Sequence, residues 1–313
     1  MPDATPPHAM TEPSLNFVTC PDAAGGHRMA WWQWGDATAG HTVVCVHGLT
    51  RQGRDFDTLA RALVQGAAAA GRGIRVVCPD VVGRGQSDWL KDPAAYGVPT
   101  YVGDMLALLA ALHAQAPVSS LDWVGTSMGG LIGMGLFGTP QLPLPSPLRR
   151  LVLNDVGPVL EWAALQRIAS YVGKTGQFGS LAEAAAAMRV IAAGFGPHTD
   201  AEWLALSAPM VKPHPQGGVT LHYDPDLGQP FQGMTPEAVV QGEAALWAAY
   251  DAIVAPTLLL RGAESDLLSA DTARAMAQRG PKARVVEFAG VGHAPTLVHD
   301  DQVQVVRDFL LAA

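Results

Sequence analysis

Gly125-Thr126-Ser127-Met128-Gly129-Gly130 is the stretch that decides how the chain folds. Leu121, Asp122, Trp123 and Val124 before it read as the end of a strand, and the apolar residues 131–137 after it read as a helix. A serine is therefore held on a strand-to-helix turn. Leaving a strand and entering a helix within one residue forces the turning residue into a strained conformation and brings the positions two residues away close together, which explains Gly125 and Gly129. The same geometry lifts the Ser127 hydroxyl above the sheet and aims the Met128 amide, at the helix N-terminus, at the same space.

Strands and helices alternate on both sides of this turn. Residues 16–20 and 27–34, separated by the turn-like Pro21-Asp22-Ala23-Ala24-Gly25-Gly26, read as antiparallel strands. Thr42-Val43-Val44-Cys45-Val46-His47-Gly48 is an apolar run without alternation, as in a parallel strand buried on both faces. A helix over 55–65, a strand over 74–78, a helix over 101–114 with Thr100 as N-cap, and a strand at Leu151-Val152-Leu153-Asn154 follow. The rhythm stops at about 157. Residues 157–251 carry helical patterns at 161–171, 181–193, 200–206 and 236–250 and a short hairpin-like run at 219–223, with no buried strand. It resumes with a strand from Thr257, a helix over 269–278, a strand over 284–288, the loop Ala289-Gly290-Val291-Gly292-His293 and a last helix to 311. Such alternation gives a parallel sheet with helices on both faces and ligands at the carboxyl ends of its strands.

Composition narrows the function. The 313 residues are 49% hydrophobic and 15% charged, enough for a large core, and the net charge of −8 disfavours nucleic acid or an anionic membrane as partner. Residues 1–13 are polar and proline-rich and read as a flexible tail without a secretory signal; no run approaches the about 18 apolar residues of a membrane span, so a cytoplasmic location is expected. Cys20, Cys45 and Cys78 lack metal-ligand spacing and read as buried reduced thiols.

A serine hydroxyl needs a base and a buried acid to become a nucleophile. Of ten histidines, His293 sits in a glycine-flanked loop after the last strand, and Gly262-Ala263-Glu264-Ser265-Asp266 is the loop after the strand before it. The order Ser127, Asp266, His293 matches nucleophile, acid, base. With His47-Gly48, Pro79-Asp80, Gly83-Arg84-Gly85 and Ser87 also in place, the chain over 15–313 resembles the α/β-hydrolase fold family. The resemblance implies an α/β fold with an eight-stranded, mainly parallel sheet whose second strand is antiparallel, flanked by helices, with a core of 14–156 and 252–313 and a helical lid of 157–251 after the sixth strand.

Carried over residue by residue, the resemblance makes Ser127 the nucleophile, His293 the base and Asp266 the orienting acid, with the Leu49 and Met128 amides as oxyanion hole. Glu264 and Asp155 stay open as alternative acids, and His299 as an alternative base. His47 is expected to shape the oxyanion loop. Arg51 and Arg84 are candidates for a substrate carboxylate or a loop ion pair. The lid residues Trp162, Tyr171, Phe178, Phe195, Trp203, Met210, His222 and Trp247 are candidates for an acyl pocket, with packing as the competing role. No cofactor or metal is implied. The expected activity is cleavage of a small-molecule carboxylic ester through an acyl-enzyme. Carbon–carbon bond hydrolysis, enol-lactone hydrolysis and a small-molecule receptor on the same scaffold remain alternatives.

Overall fold

The computed structural model describes residues 12–312, so residues 1–11 of the expected tail lie outside the described residues. The core elements run β1 (Ser14–Cys20), β2 (His27–Gly35), β3 (His41–Val46), α1 (Asp57–Ala69), β4 (Arg75–Asp80), α2 (Val98–Gln115), β5 (Ser120–Thr126), α3 (Met128–Gly138) and β6 (Leu148–Asn154). Residues 157–251 then supply α4 (Trp162–Tyr171), α5 (Leu181–Ile191), α6 (Asp200–Ser207), a two-stranded hairpin of β7 (Val211–Pro213) and β8 (Val219–Leu221), and α7 (Pro236–Ala252). The core closes with β9 (Thr257–Gly262), α8 (Ala270–Met276), β10 (Arg284–Phe288) and α9 (Asp300–Leu311).

Eight strands form one sheet in the order β1-β2-β4-β3-β5-β6-β9-β10. β2 is antiparallel to both neighbours and every other pairing is parallel. The central strands are apolar throughout because both faces are covered. Val44, Val46, Leu121, Trp123, Leu151 and Leu153 pack toward α2 and α3. Val43, Cys45, Val124, Val152, Leu258 and Leu260 pack toward α1 and α9. Each fully buried Val or Leu contributes about 1.5–3 kcal/mol relative to exposure. All three cysteines are buried in this packing, outside any disulfide.

Several boundaries differ from expectation by a few residues, among them α1, which ends at Ala69 rather than at 65, and β6, which starts at Leu148 rather than Leu151. Helix α2 starts at Val98 rather than after Thr100, because Pro99 fits a helical first turn where no amide partner exists; Thr100 instead donates its hydroxyl to the Ala95 carbonyl at 2.7 Å.

At the β5–α3 turn backbones pack closely. A Cβ on Gly129 would lie 2.0 Å from the Val46 carbonyl oxygen, and one on Gly125 would lie 2.3 Å from the Gly129 oxygen. Backbone on both sides leaves nothing to move aside. Gly129→Ala is expected to lose about 3 kcal/mol of stability by overpacking. Urea denaturation measures this; a wild-type midpoint would contradict so close a contact between α3 and β3.

Candidate active site

Ser127 follows β5 with φ 51° and ψ −117°, in the sparsely allowed left-handed half of conformational space, as a one-residue strand-to-helix turn requires. Its amide donates to the Asn154 carbonyl at 2.9 Å, which ties the turn to β6. Gly130 and Leu131 donate to its carbonyl, so α3 begins immediately. Met128 is the first residue of that helix, and its amide has no intrahelical acceptor by position.

His293 arrives from the loop after β10. Its Nε2 lies 2.9 Å from Ser127 Oγ and its Nδ1 lies 2.7 Å from Asp155 Oδ2. The carboxylate is an acceptor, so Nδ1 carries the proton and Nε2 accepts from the serine hydroxyl. Asp155 stands directly after β6, the strand next to β5, and has a left-handed φ of 56°. It is fully buried and receives three hydrogen bonds: Gly262 N–H at 2.8 Å on Oδ1, and the Ser265 hydroxyl at 2.6 Å and His293 on Oδ2.

Asp266, expected beside His293, is elsewhere. Its side chain is exposed and forms a two-pronged ion pair with Arg167 of α4, at 2.7 and 2.9 Å. The β9 loop reaches the site through Gly262 and Ser265, and the residue after Ser265 turns outward. Glu264 is exposed as well. His299 caps α9 and lies 3.8 Å from Glu202, away from Ser127. The carboxylate on His293 is therefore Asp155, one of the two alternatives to Asp266.

The loop after β3 is held from beneath. His47 is wholly buried; Val81 N–H donates to its Nε2 at 2.9 Å, so its Nδ1–H donates to the Gly48 carbonyl at 2.7 Å. Burial, reinforced by the Arg84 and Arg51 charges, pushes its pKa down to about 3, so the ring is neutral at ordinary pH. Gly48 carbonyl and Leu49 N–H belong to one trans peptide and point opposite ways. Fixing the carbonyl fixes the amide. Arg84, also fully buried, donates from Nε to the Leu49 carbonyl at 2.8 Å and from Nη1 to Val82 and the Tyr101 hydroxyl. Its role is interior anchoring, and the carboxylate-binding role considered for it does not fit its burial.

Two cavities meet at Ser127. One, of about 110 Å³, is walled by Gly48, Arg51, Arg167, Lys174, Phe195 and His293 among others. The second, of about 190 Å³, is walled by Met128, Val98, Leu160, Leu165, Leu227 and Phe231 among others; Leu49, Ser127 and Ile168 belong to both. Arg51 is on the first wall as expected, clamped by Asp55 at 2.6 and 2.7 Å, and Tyr171 and Met210 join it there. Trp162, His222 and Trp247 line neither cavity. Trp162 packs against the core. His222 is fixed by backbone bonds to Met210 and Gly85. Trp247 stands on α7, edge-on to Tyr250 and under Arg279.

Donor atoms of Cys20, His27 and Asp104 lie within 4.8 Å of one another at the β1–β2 turn. Both His27 nitrogens already face carboxylates, Asp22 at 2.8 Å and Asp104 at 3.1 Å. Burial alone would lower the pKa of this ring, but those bonds carry it up to about 9, while burial raises the Cys20 thiol. The cluster is a buried imidazolium between two acids.

Known proteins share this architecture. A model of the alpha/beta hydrolase family matches residues 43–308. A 3-hydroxybutyrate-oligomer hydrolase of Cupriavidus necator is 49% identical over 305 residues, covering 96% of this chain and 99% of that protein. The crystal structure of an alpha/beta hydrolase from Novosphingobium aromaticivorans is 33% identical with a TM-score of 0.78, covering 96% of this chain and 99% of that one. A Rickettsia typhi protein is 26% identical with a TM-score of 0.81, covering 95% and 98%.

Proposed function

The chain belongs to the alpha/beta hydrolase family and is a hydrolase, and from that premise we propose that it cleaves short linear oligoesters of 3-hydroxybutyrate by an acyl-enzyme route. The observation that carries the substrate is the 49% identity, over nearly the full length of both chains, to a 3-hydroxybutyrate-oligomer hydrolase. The route is supported by the continuous line Ser127–His293–Asp155.

In this reading Ser127 Oγ attacks the ester carbonyl while His293 Nε2 takes its proton, and Asp155 holds the ring and stabilises the imidazolium. The Leu49 and Met128 amides receive the developing oxyanion. His293 then protonates the departing alkoxide, and water activated by the same nitrogen releases the acid. Residues 157–251 act as the lid, closing over both cavities through α4, α5 and the hairpin.

The expected result is that purified protein hydrolyses the 3-hydroxybutyrate dimer and trimer to monomer. Product chromatography measures this. Hydrolysis of p-nitrophenyl butyrate without any cleavage of the oligomers would keep the serine esterase and remove the oligoester substrate.

A further inference from the structure

The cleft around Ser127 is chemically two-sided. Among the described residues, the walls of the smaller arm carry three cationic residues, Arg51, Arg167 and Lys174, and no carboxylate. The other arm has no charged side chain among the described residues. The two arginines are already paired, with Asp55 and Asp266. Lys174 is exposed and has no ion pair among the described residues, so its positive charge is uncompensated on that wall.

The position of the proton donor gives this asymmetry a direction. His293 lies on the wall of the cationic arm, whereas Met128 lies on the wall of the apolar arm. The leaving alcohol must receive its proton from His293 and therefore departs through the cationic arm. The acyl group stays with Ser127 in the apolar arm.

Resting on the oligoester reading above, we propose that the enzyme takes its substrate with the free carboxylate end in the cationic arm, where Lys174 receives it, and cleaves from that end. The ester C–O bond breaks as the tetrahedral intermediate collapses, and the proton that His293 took from Ser127 passes to the alkoxide. The first product is then a 3-hydroxy acid whose carboxylate lies against Lys174. The remaining chain, ending in its own hydroxyl, is held as the acyl-enzyme until water releases it. A charge-assisted contact of this kind favours free acids over neutral chains of equal length.

The test compares a linear 3-hydroxybutyrate trimer bearing a free carboxylate with the same trimer capped as its N-methylamide, in wild type and in Lys174→Glu. Lys174 is exposed, so the variant is expected to fold. The expected result is a lower KM for the free acid in wild type and a rise of about tenfold in that KM in Lys174→Glu, with kcat and both constants for the amide within about twofold. Equal KM values for acid and amide in wild type, unchanged in the variant, would overturn carboxylate recognition and leave the oligoester hydrolase standing. Failure of wild type to cleave either trimer would remove both.

Discussion

Asp155→Asn is expected to lower kcat by about four orders of magnitude, whereas Asp266→Asn leaves it within about a factor of three. Three donors converge on Asp155: the Gly262 amide, the Ser265 hydroxyl and His293 Nδ1–H. Two carboxylate oxygens satisfy all three. Asparagine offers one oxygen and an amino group that is itself a donor, so at least one of the three is left facing another N–H. If the amide donates to Nδ1, the imidazole proton moves to Nε2 and the ring can no longer accept from Ser127. Asp266 has an exposed ion pair with Arg167, and exposed pairs are worth about 1 kcal/mol or less. Steady-state kinetics of the two variants, with circular dichroism as the check on folding, separates the two carboxylates. A large loss in Asp266→Asn with little in Asp155→Asn would reverse the assignment.

Ser127→Ala is expected to lose about six orders of magnitude in kcat. The substitution removes only Oγ; the backbone of the turn, with φ 51°, is set by β5 and α3 packing rather than by the hydroxyl. Alanine in that conformation is strained as serine is, so stability should change by less than about 1 kcal/mol. Binding of the proposed oligoester should persist, since both cavity walls remain. Residual turnover comparable to wild type would mean that the bond is broken without Ser127.

The parts of this molecule that could be read from sequence are those fixed by local patterning. Val43–Val46, Leu121–Val124, Leu151–Leu153 and Leu258–Leu260 are apolar because both faces of each strand are covered, and that pattern alone placed the sheet. Gly125 and Gly129 around Ser127 betray a turn in which backbones touch, and Gly292 before His293 marks a loop able to approach the strand ends. Which carboxylate faces His293 was not legible in the same way. Asp155, Glu264 and Asp266 all follow strands that end at the site, and the choice depends on which loop residue turns inward. Asp266 is drawn outward by Arg167, a residue 99 positions away in sequence, which no periodicity reveals. The available hint was Asn154-Asp155, two polar residues ending an apolar strand beside the one that carries Ser127. The lid aromatics were ambiguous for a related reason: Trp247 and Tyr171 have similar surroundings in sequence, and only the packing of α7 on α3, and of α4 over Ser127, separates a wall residue from a covering one.

The most direct measurement is labelling with a fluorophosphonate, followed by peptide mass spectrometry of wild type, Ser127→Ala and Asp155→Asn. The expected result is one adduct on the wild-type peptide containing Ser127, none in Ser127→Ala, and labelling slowed by at least about a hundredfold in Asp155→Asn. Folded wild-type protein that stays unlabelled, or that is labelled just as fast in Asp155→Asn, would contradict an activated serine at this turn.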